Sequence, residues 1–414
     1  MSDASLPHDL PKCNGLINSL ALAILNSAIR EYGIFAAAAA CQIVAAAAQG
    51  VYCLPDGRPL SLYQLLLAPA SAGKGHYQSS VKRLVSEIYP VLLSGEPGSR
   101  EGLRQDLHAW NVRLIVIDEI QDFLAKLTDD SNVHIKGIST DLKEIWSGTD
   151  KLQSISTKTS FSHEIKHPRV NFLGVGTVDG TGKSLSGSVV GGGLASRFNI
   201  FTAGTEMPAL KKRETWPITC RQELSALRRM AFEGLAEKPF IGMPKYIERR
   251  LAYIKKPEDH EPQMRAEKTL GITAEASDII WLHEQTWEKM LLQDPSSSDA
   301  AIYDRAGTQA LVYAAIHCVG RGNEKIDKED VCFGTEMASQ AADSACKLMA
   351  EHGACSIDET THKRLIRSLA KHGPLSKRDL QRSSTVFGAT FVKALDGAMK
   401  SGEVIMVDHL YRLG

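Results

Sequence analysis

Four short apolar runs punctuate the first half of the chain: LYQLLLA (62–68), VRLIVI (112–117), VNFLGV (170–175) and, more weakly, FNIFT (198–202). Continuous apolar runs of this length, with helix-period stretches between them, predict strands of a mostly parallel sheet covered on both faces. The first run leads into a small-residue loop, PASAGKG (69–75), and then a helical pattern, HYQSSVKRLVSEIY. Strand, loop and helix in that order open a βα unit. Ahead of it, residues 14–50 read as helices rich in alanine, a strong helix former. The stretch 34–54 is the one membrane suspect, but its alanines are weakly driven into lipid and it carries Gln42 and Gln49. It reads as a buried helix.

From about 206 the pattern turns helical, with a charged stretch at 245–268 and a break at Pro295-Ser-Ser-Ser298. Residues 300–351 predict two amphipathic helices around IDKEDV. The end of the chain, 361–414, predicts three helices (HKRLIRSLAKHG, LSKRDLQRS, ATFVKALDGAMKSG) closed by a strand pair, EVIMVDHLYRL. That is the pattern of a winged helix, a relative of helix-turn-helix. The expected organisation is α/β: a helical region at 1–55, a nucleotide-binding core at 56–205, a helical extension at 206–355 and a winged helix at 356–414.

Composition narrows the class. With 43% hydrophobic and 23% charged residues, the 414-residue chain is neither intrinsically disordered nor collagen-like. Lys+Arg and Asp+Glu balance at 48 each, but the balance is an average. Residues 361–414 hold ten Lys/Arg and four Asp/Glu, a net +6, so residues 1–360 carry −6. The eight cysteines form no C-x-x-C pair and sit at no zinc spacing, which reads as scattered reduced thiols of a cytoplasmic protein. The N-terminus has no signal-peptide pattern.

Two segments compete as a phosphate-binding P-loop, G-x-x-x-x-G-K-[ST], whose amides cradle phosphates while Lys reaches the β/γ-phosphates and the hydroxyl binds Mg²⁺. Residues 68–75 keep Gly73-Lys74 but have Ala68 for the first glycine and Gly75 for the hydroxyl. Residues 177–184, TVDGTGKS, match better letter by letter, with Thr177 for the first glycine. Context favours Lys74. A helix able to aim its N-terminus at phosphate follows Lys74, and SLSGSVVGGG after Lys183 supplies none. An acid-tipped strand, Arg113 to Asp118-Glu119, also lies downstream of Lys74. The expected cradle is Ser71, Ala72, Gly73, Lys74 and Gly75, with His76 a candidate substitute for the hydroxyl. Asp118 is expected to bind Mg²⁺, and Glu119 to polarise the attacking water.

The motif order LYQLLLAPASAGKG, GSREGLRQDL, RLIVIDEIQDFL, LKEIWSGTD, HPRVNFLGVGT, GGLASRFNIF resembles helicase-type P-loop ATPase domains (RecA/AAA+-like) of phage, plasmid and genomic-island replication proteins. The likeness spans roughly 35–205 and extends more weakly to 300–350. It implies an oligomeric, hexameric-ring ATPase acting on DNA, with priming left to a separate primase. It also implies a sensor role for Thr177, an arginine finger at Arg197 and a second nucleotide-contacting arginine at Arg305. By this reading the Gly/Ser/Thr-rich segment 178–193 is a mobile loop before the finger. The alternative is an ATP-driven assembly switch or loader with little turnover and no unwinding.

Two places are candidates for DNA. Residues 151–169 hold Lys151, Lys158, Lys166 and Arg169 against one acid, Glu164, and read equally as a channel hairpin or an ordinary solvated one. In the basic tail, Lys377, Arg378 and Arg382 fall on the second helix, with Lys393 and Lys400 on the third. Such clustering is the footprint expected of phosphate contact.

Overall fold

The computed structural model describes residues 9–128, 133–152, 164–185, 193–203, 207–212, 220–233, 268–293, 299–352 and 357–414. The chain opens with helices α1 (Gly15–Ser27) and α2 (Gly33–Ala48) and the short strand β1 (Tyr52–Cys53). Then come β2 (Tyr63–Leu67), α3 (Gly75–Ile88), β3 (Leu93–Ser94), α4 (Arg100–Ala109), β4 (Val112–Ile117), α5 (Ile120–Thr128) and α6 (Val133–Trp146). A small hairpin of β5 (Lys151–Leu152) and β6 (Ile165–Lys166) leads into β7 (Arg169–Gly176), α7 (Val178–Ser184) and β8 (Asn199–Thr202).

Five of these strands form one sheet in the order β3-β4-β7-β2-β8, parallel throughout. The four apolar runs are its four longest strands, and the fold is α/β as they predict. The edge strand β3 is only two residues long and left no readable run in the sequence. Strand parity sorts the side chains onto two faces. Tyr63, Leu65, Ile115, Ile117, Phe172 and Ile200 pack with α4, α5 and α6. Leu66, Leu114, Val116, Leu173, Val175 and Phe201 pack with α1, α2 and α3.

The alanine-rich segment is α2, and all 16 of its residues are buried. Side chains this small let neighbouring backbones approach closely, so α2 fits between α1, α3 and the sheet. No helix among the described residues is long and apolar enough to cross a membrane. Residues 15–48 share one core with the sheet, so the boundary expected at 55 separates no cores.

After the sheet come α8 (Arg221–Glu233), β9 (Lys268–Thr269), β10 (Gly271–Ile272), α9 (Ala274–Gln293), α10 (Ala300–Gly320), β11 (Lys325–Ile326) and α11 (Lys328–His352). The charged stretch from 245 lies outside the described residues as far as 267. The two helices expected around IDKEDV are α10 and α11. Asp327 accepts from the amides of Glu329 and Asp330 at 3.0 and 3.2 Å, which starts α11 where the sequence places that acid. Helix α11 crosses α10 closely at Gly334, where a methyl group would sit 2.3 Å from the Ala310 carbonyl oxygen.

The chain ends in α12 (Ile357–His372), α13 (Lys377–Ser384), α14 (Gly388–Lys400) and an antiparallel hairpin of β12 (Val404–Val407) and β13 (Leu410–Leu413). Asp408 and His409 at the hairpin tip have φ of +51° and +63°, the conformation of a type I′ turn. A bridge between Leu375 and Tyr411 ties the hairpin to the start of α13. Leu365, Leu369, Leu380, Phe391, Leu395 and Val404 give these elements a core of their own.

Replacing Gly334 by Ala forces backbone, not a flexible side chain, to give way. The expected loss is ~1–3 kcal/mol or somewhat more, measured by denaturant unfolding. An unchanged midpoint would contradict the close crossing.

Candidate functional site

Parallel strands bring all their carboxyl ends to one edge of the sheet, and three candidate groups follow those ends. Lys74 follows β2, Asp118 and Glu119 follow β4, and Thr177 follows β7. Because β7 lies between β2 and β4, Thr177 falls between the loop and the acids. Ligands of open parallel sheets collect at this edge.

The loop Pro69–Lys74 has Ser71 at φ +63° and Gly73 at φ +82°, followed by Lys74 in the right-handed helical region. Alternation of left- and right-handed residues makes successive amides point the same way and form a nest for an anion. Only the Ala72 amide turns back, to Pro69 O at 3.3 Å, and the His76 and Tyr77 amides bond to Gly73 O and Lys74 O, both at 3.1 Å. Among the described residues, the amides of Gly73, Lys74 and Gly75 and the Lys74 ammonium have no protein partner. Three open donors at a helix N-terminus, with a lysine beside them, are the donor set that a phosphate group fits.

The N-terminal helices brace this loop. Buried Tyr77 in the first turn of α3 donates its hydroxyl to Arg30 O at 2.8 Å and accepts from the Tyr32 amide at 2.8 Å. The His76 ring faces α1, with Nε2 3.0 Å from Ile24 O and 3.2 Å from Ser27 Oγ. His76 therefore anchors α3 to α1 and is not the substitute for the missing hydroxyl.

At the next carboxyl end, Asp118 and Glu119 are both exposed. Asp118 Oδ1 accepts from the Glu119 amide at 3.0 Å. Glu119 has φ +50°, a left-handed conformation that costs a residue with a Cβ about 1–2 kcal/mol. Strain of this kind concentrates where a side chain has to be aimed. Gln121, which no motif singled out, donates to the Glu119 carboxylate. Its Oε1 would lie 2.7 Å from a methyl at Gly176, so only glycine at the end of β7 leaves it room. Gln121 therefore bridges the acid and the end of the middle strand.

Thr177 caps α7, accepting from the Gly180 amide at 3.2 Å, so its hydroxyl proton stays available. The helix also bears on the second loop candidate. Residues 178–184 are helical and not the expected mobile loop, while 186–192 lie outside the described residues. Gly180 and Gly182 take ordinary negative φ, and the Gly180 and Thr181 amides are spent on Thr177. The segment TVDGTGKS forms no nest around Lys183.

The two candidate arginines and the β5–β6 hairpin lie at the opposite, amino-terminal edge. Arg197 ends a short 3-10 turn, Ala195–Arg197, just before β8. Its guanidinium lies over Trp146 at the end of α6, 5.3 Å from the ring centroid, and donates to Gly193 O. Burial, and next the neighbouring Arg305, lowers the Arg197 pKa. Arg305 lies over the same ring at 5.9 Å. It is thus grouped with Arg197 and not with the cradle of its own chain. At ~3.3 Å per residue, the five residues of β2 put this edge roughly 16 Å from the Lys74 loop.

The β5–β6 hairpin shares that edge, its return strand held by Asn111, which donates to Lys166 O and His167 O at 3.1 Å. Lys151 and Lys166 are exposed on it, Lys151 in a 2.9 Å ion pair with Glu164, and Lys158 lies outside the described residues. Arg169, counted with this basic group in the sequence, is 3% exposed in β7 and leaves it. In the tail, Lys377, Arg378, Arg382, Lys393 and Lys400 are all exposed.

Neither a protein-family model nor a curated protein matches the chain.

If the nest at 73–75 is the phosphate site, Lys74→Ala lowers nucleotide affinity by at least ~10-fold, the scale of one charge-assisted hydrogen bond removed. Lys183→Ala leaves it unchanged. Isothermal titration with ATP and an ATP analogue checks both, and the reverse result contradicts the assignment.

Proposed function

We propose that this chain is a P-loop ATPase that works on DNA as a helicase or replication initiator of a mobile genetic element. The observation that carries the reading is the open amide nest with a free lysine at the same sheet edge as a paired acid, with one strand, β7, between them. In this reading the amides of Gly73, Lys74 and Gly75 and the Lys74 ammonium bind the phosphates of ATP. Asp118 holds Mg²⁺, which supplies charge neutralisation at the phosphates. Glu119 orients the attacking water, and the Thr177 hydroxyl senses it from between loop and acid. Arg197 lies about a strand length from the cradle of its own chain, so it serves a neighbouring copy. That supports a ring, hexameric in the resemblance, with ATP bound between subunits. An arginine supplied in trans is worth ~10³–10⁵ in rate.

The C-terminal three helices and hairpin are read as a winged helix that grips duplex DNA. Lys377 and Arg378 stand in the first turn of α13, where the helix dipole disfavours cations. Their placement does nothing for the helix and suits an external phosphate. The β5–β6 hairpin is read as the single-strand contact in the channel. Priming belongs to a separate primase.

The assembly switch or loader is the second reading, favoured by Gly75, which offers no hydroxyl to Mg²⁺, and by Gln121, which occupies the Glu119 carboxylate. Hydrolysis assays with and without single-stranded DNA separate the two. The motor predicts stimulation, with Glu119→Gln slowing turnover by ~10²–10⁴ while ATP still binds. Nucleotide-dependent assembly without turnover supports the switch instead. Neither assembly nor turnover contradicts both.

Removing 357–414 is expected to weaken duplex binding and flatten its salt dependence. The log–log slope falls by ~0.9 for each DNA phosphate that the tail neutralises. Unchanged affinity and slope in a salt titration would show that DNA is held elsewhere.

A further inference from the structure

Trp146 lies within the LKEIWSGTD segment but was given no role there, and two arginines from distant parts of the chain converge on it. Arg197 comes from the turn before β8 and Arg305 from α10, with guanidinium carbons 5.3 and 5.9 Å from the indole centroid. The two segments are joined by a buried hydrogen bond, Gln309 Nε2 to Ser196 O at 3.2 Å. The ring itself is 6% exposed and fixed in the core beneath α6. It is a rigid platform.

The charge around it is unbalanced. Arg305 has an ion pair with its exposed neighbour Asp304, at 3.2 Å, a kind of contact that holds little energy. Arg197 forms no ion pair with a carboxylate among the described residues, and its Nε is buried without a hydrogen-bond partner. Two guanidinium groups packed together repel. An indole holds them by their faces without neutralising them, whereas a carboxylate would quench the charge. Compare Arg100 and Arg104, which converge on the buried carboxylate of Asp141 at 2.6 Å each and are spent there. Here, among the described residues, Arg197 donates only to the neutral Gly193 O and Ser147 Oγ and Arg305 meets only the exposed Asp304, so the pair keeps most of its charge at a surface edge, where planar forks suit phosphate oxygens.

We infer that Trp146, Arg197 and Arg305 form one receptor for phosphate groups of a nucleotide bound by the carboxyl edge of an adjacent copy. Arg305 contributes in trans alongside Arg197, and Trp146 is the positioning residue for both. The inference rests on the reading of the Lys74 loop as the nucleotide site.

The test uses the full chain carrying Trp146→Ala, Trp146→Phe or Arg305→Ala, with ATP binding and hydrolysis measured separately. Loss of the platform lowers kcat about tenfold while ATP affinity at the Lys74 loop stays at the wild-type value. Trp146→Phe, which keeps a ring face, recovers most of the rate, a rescue that mere loss of packing does not predict. Mixing Lys74→Ala chains with Trp146→Ala chains restores activity, since one supplies an intact receptor and the other an intact loop. Wild-type hydrolysis that Trp146→Ala leaves unchanged, or mixtures no more active than their components, overturn the receptor alone. A wild-type chain that binds no ATP overturns the nucleotide reading and the receptor with it.

Discussion

Parallel strand pairing is the constraint on which everything else depends. It gives the sheet two chemically distinct edges, and the order β3-β4-β7-β2-β8 decides what meets at each. Lys74, Asp118, Glu119 and Thr177 stand at the carboxyl edge. Arg197, Arg305, Trp146 and the β5–β6 hairpin stand at the amino edge. A site that needs both sets is incomplete within one chain, because β2 is about 16 Å of rigid strand. On the proposed reading, strand direction alone then calls for a second copy to complete the site.

The carboxyl edge is held in shape by material that has no chemistry of its own. Helix α2 is buried on every side because its alanines take up so little room, and that lets α1 and α3 close over it. Tyr77 and His76 then fasten the first turn of α3 to the α1–α2 junction. With the helix start fixed, the left-handed residues Ser71 and Gly73 turn the preceding amides outward. At Glu119 the same edge holds a second left-handed residue, and here no glycine relieves the cost. Gly176 leaves Gln121 the space it needs to reach that carboxylate.

Much of this was legible in the sequence. Long apolar runs are a strong signal, so the four main strands were readable within a residue or two, and the tail's helices and hairpin were equally plain. The strand before Lys74 and the helix after it, the context on which its choice over Lys183 rests, are present as β2 and α3. What stayed hidden was whatever depends on tertiary neighbours. TVDGTGKS looks like a loop by composition, but Thr177 caps it into a helix. His76 looked available because sequence gives no hint that α1 lies against it. Arg305 sits in a helix far from the strands in sequence, and only the packing of α10 against the turn before β8 brings it beside Arg197. Trp146 and Gln121 fall inside the LKEIWSGTD and RLIVIDEIQDFL segments, but no spacing marks either, because a platform and a bridge are defined by what they touch.

The central claim is that one nucleotide is held by the carboxyl edge of one copy and the amino edge of the next. A cryo-electron-microscopy structure of the chain assembled with a non-hydrolysable ATP analogue and Mg²⁺ tests it most directly. The account predicts triphosphate density on the amides of Gly73, Lys74 and Gly75, with Arg197 of an adjacent copy reaching it across a subunit boundary. Nucleotide density around residues 177–184, or at the Lys74 loop with Arg197 turned away from every neighbour, would contradict it.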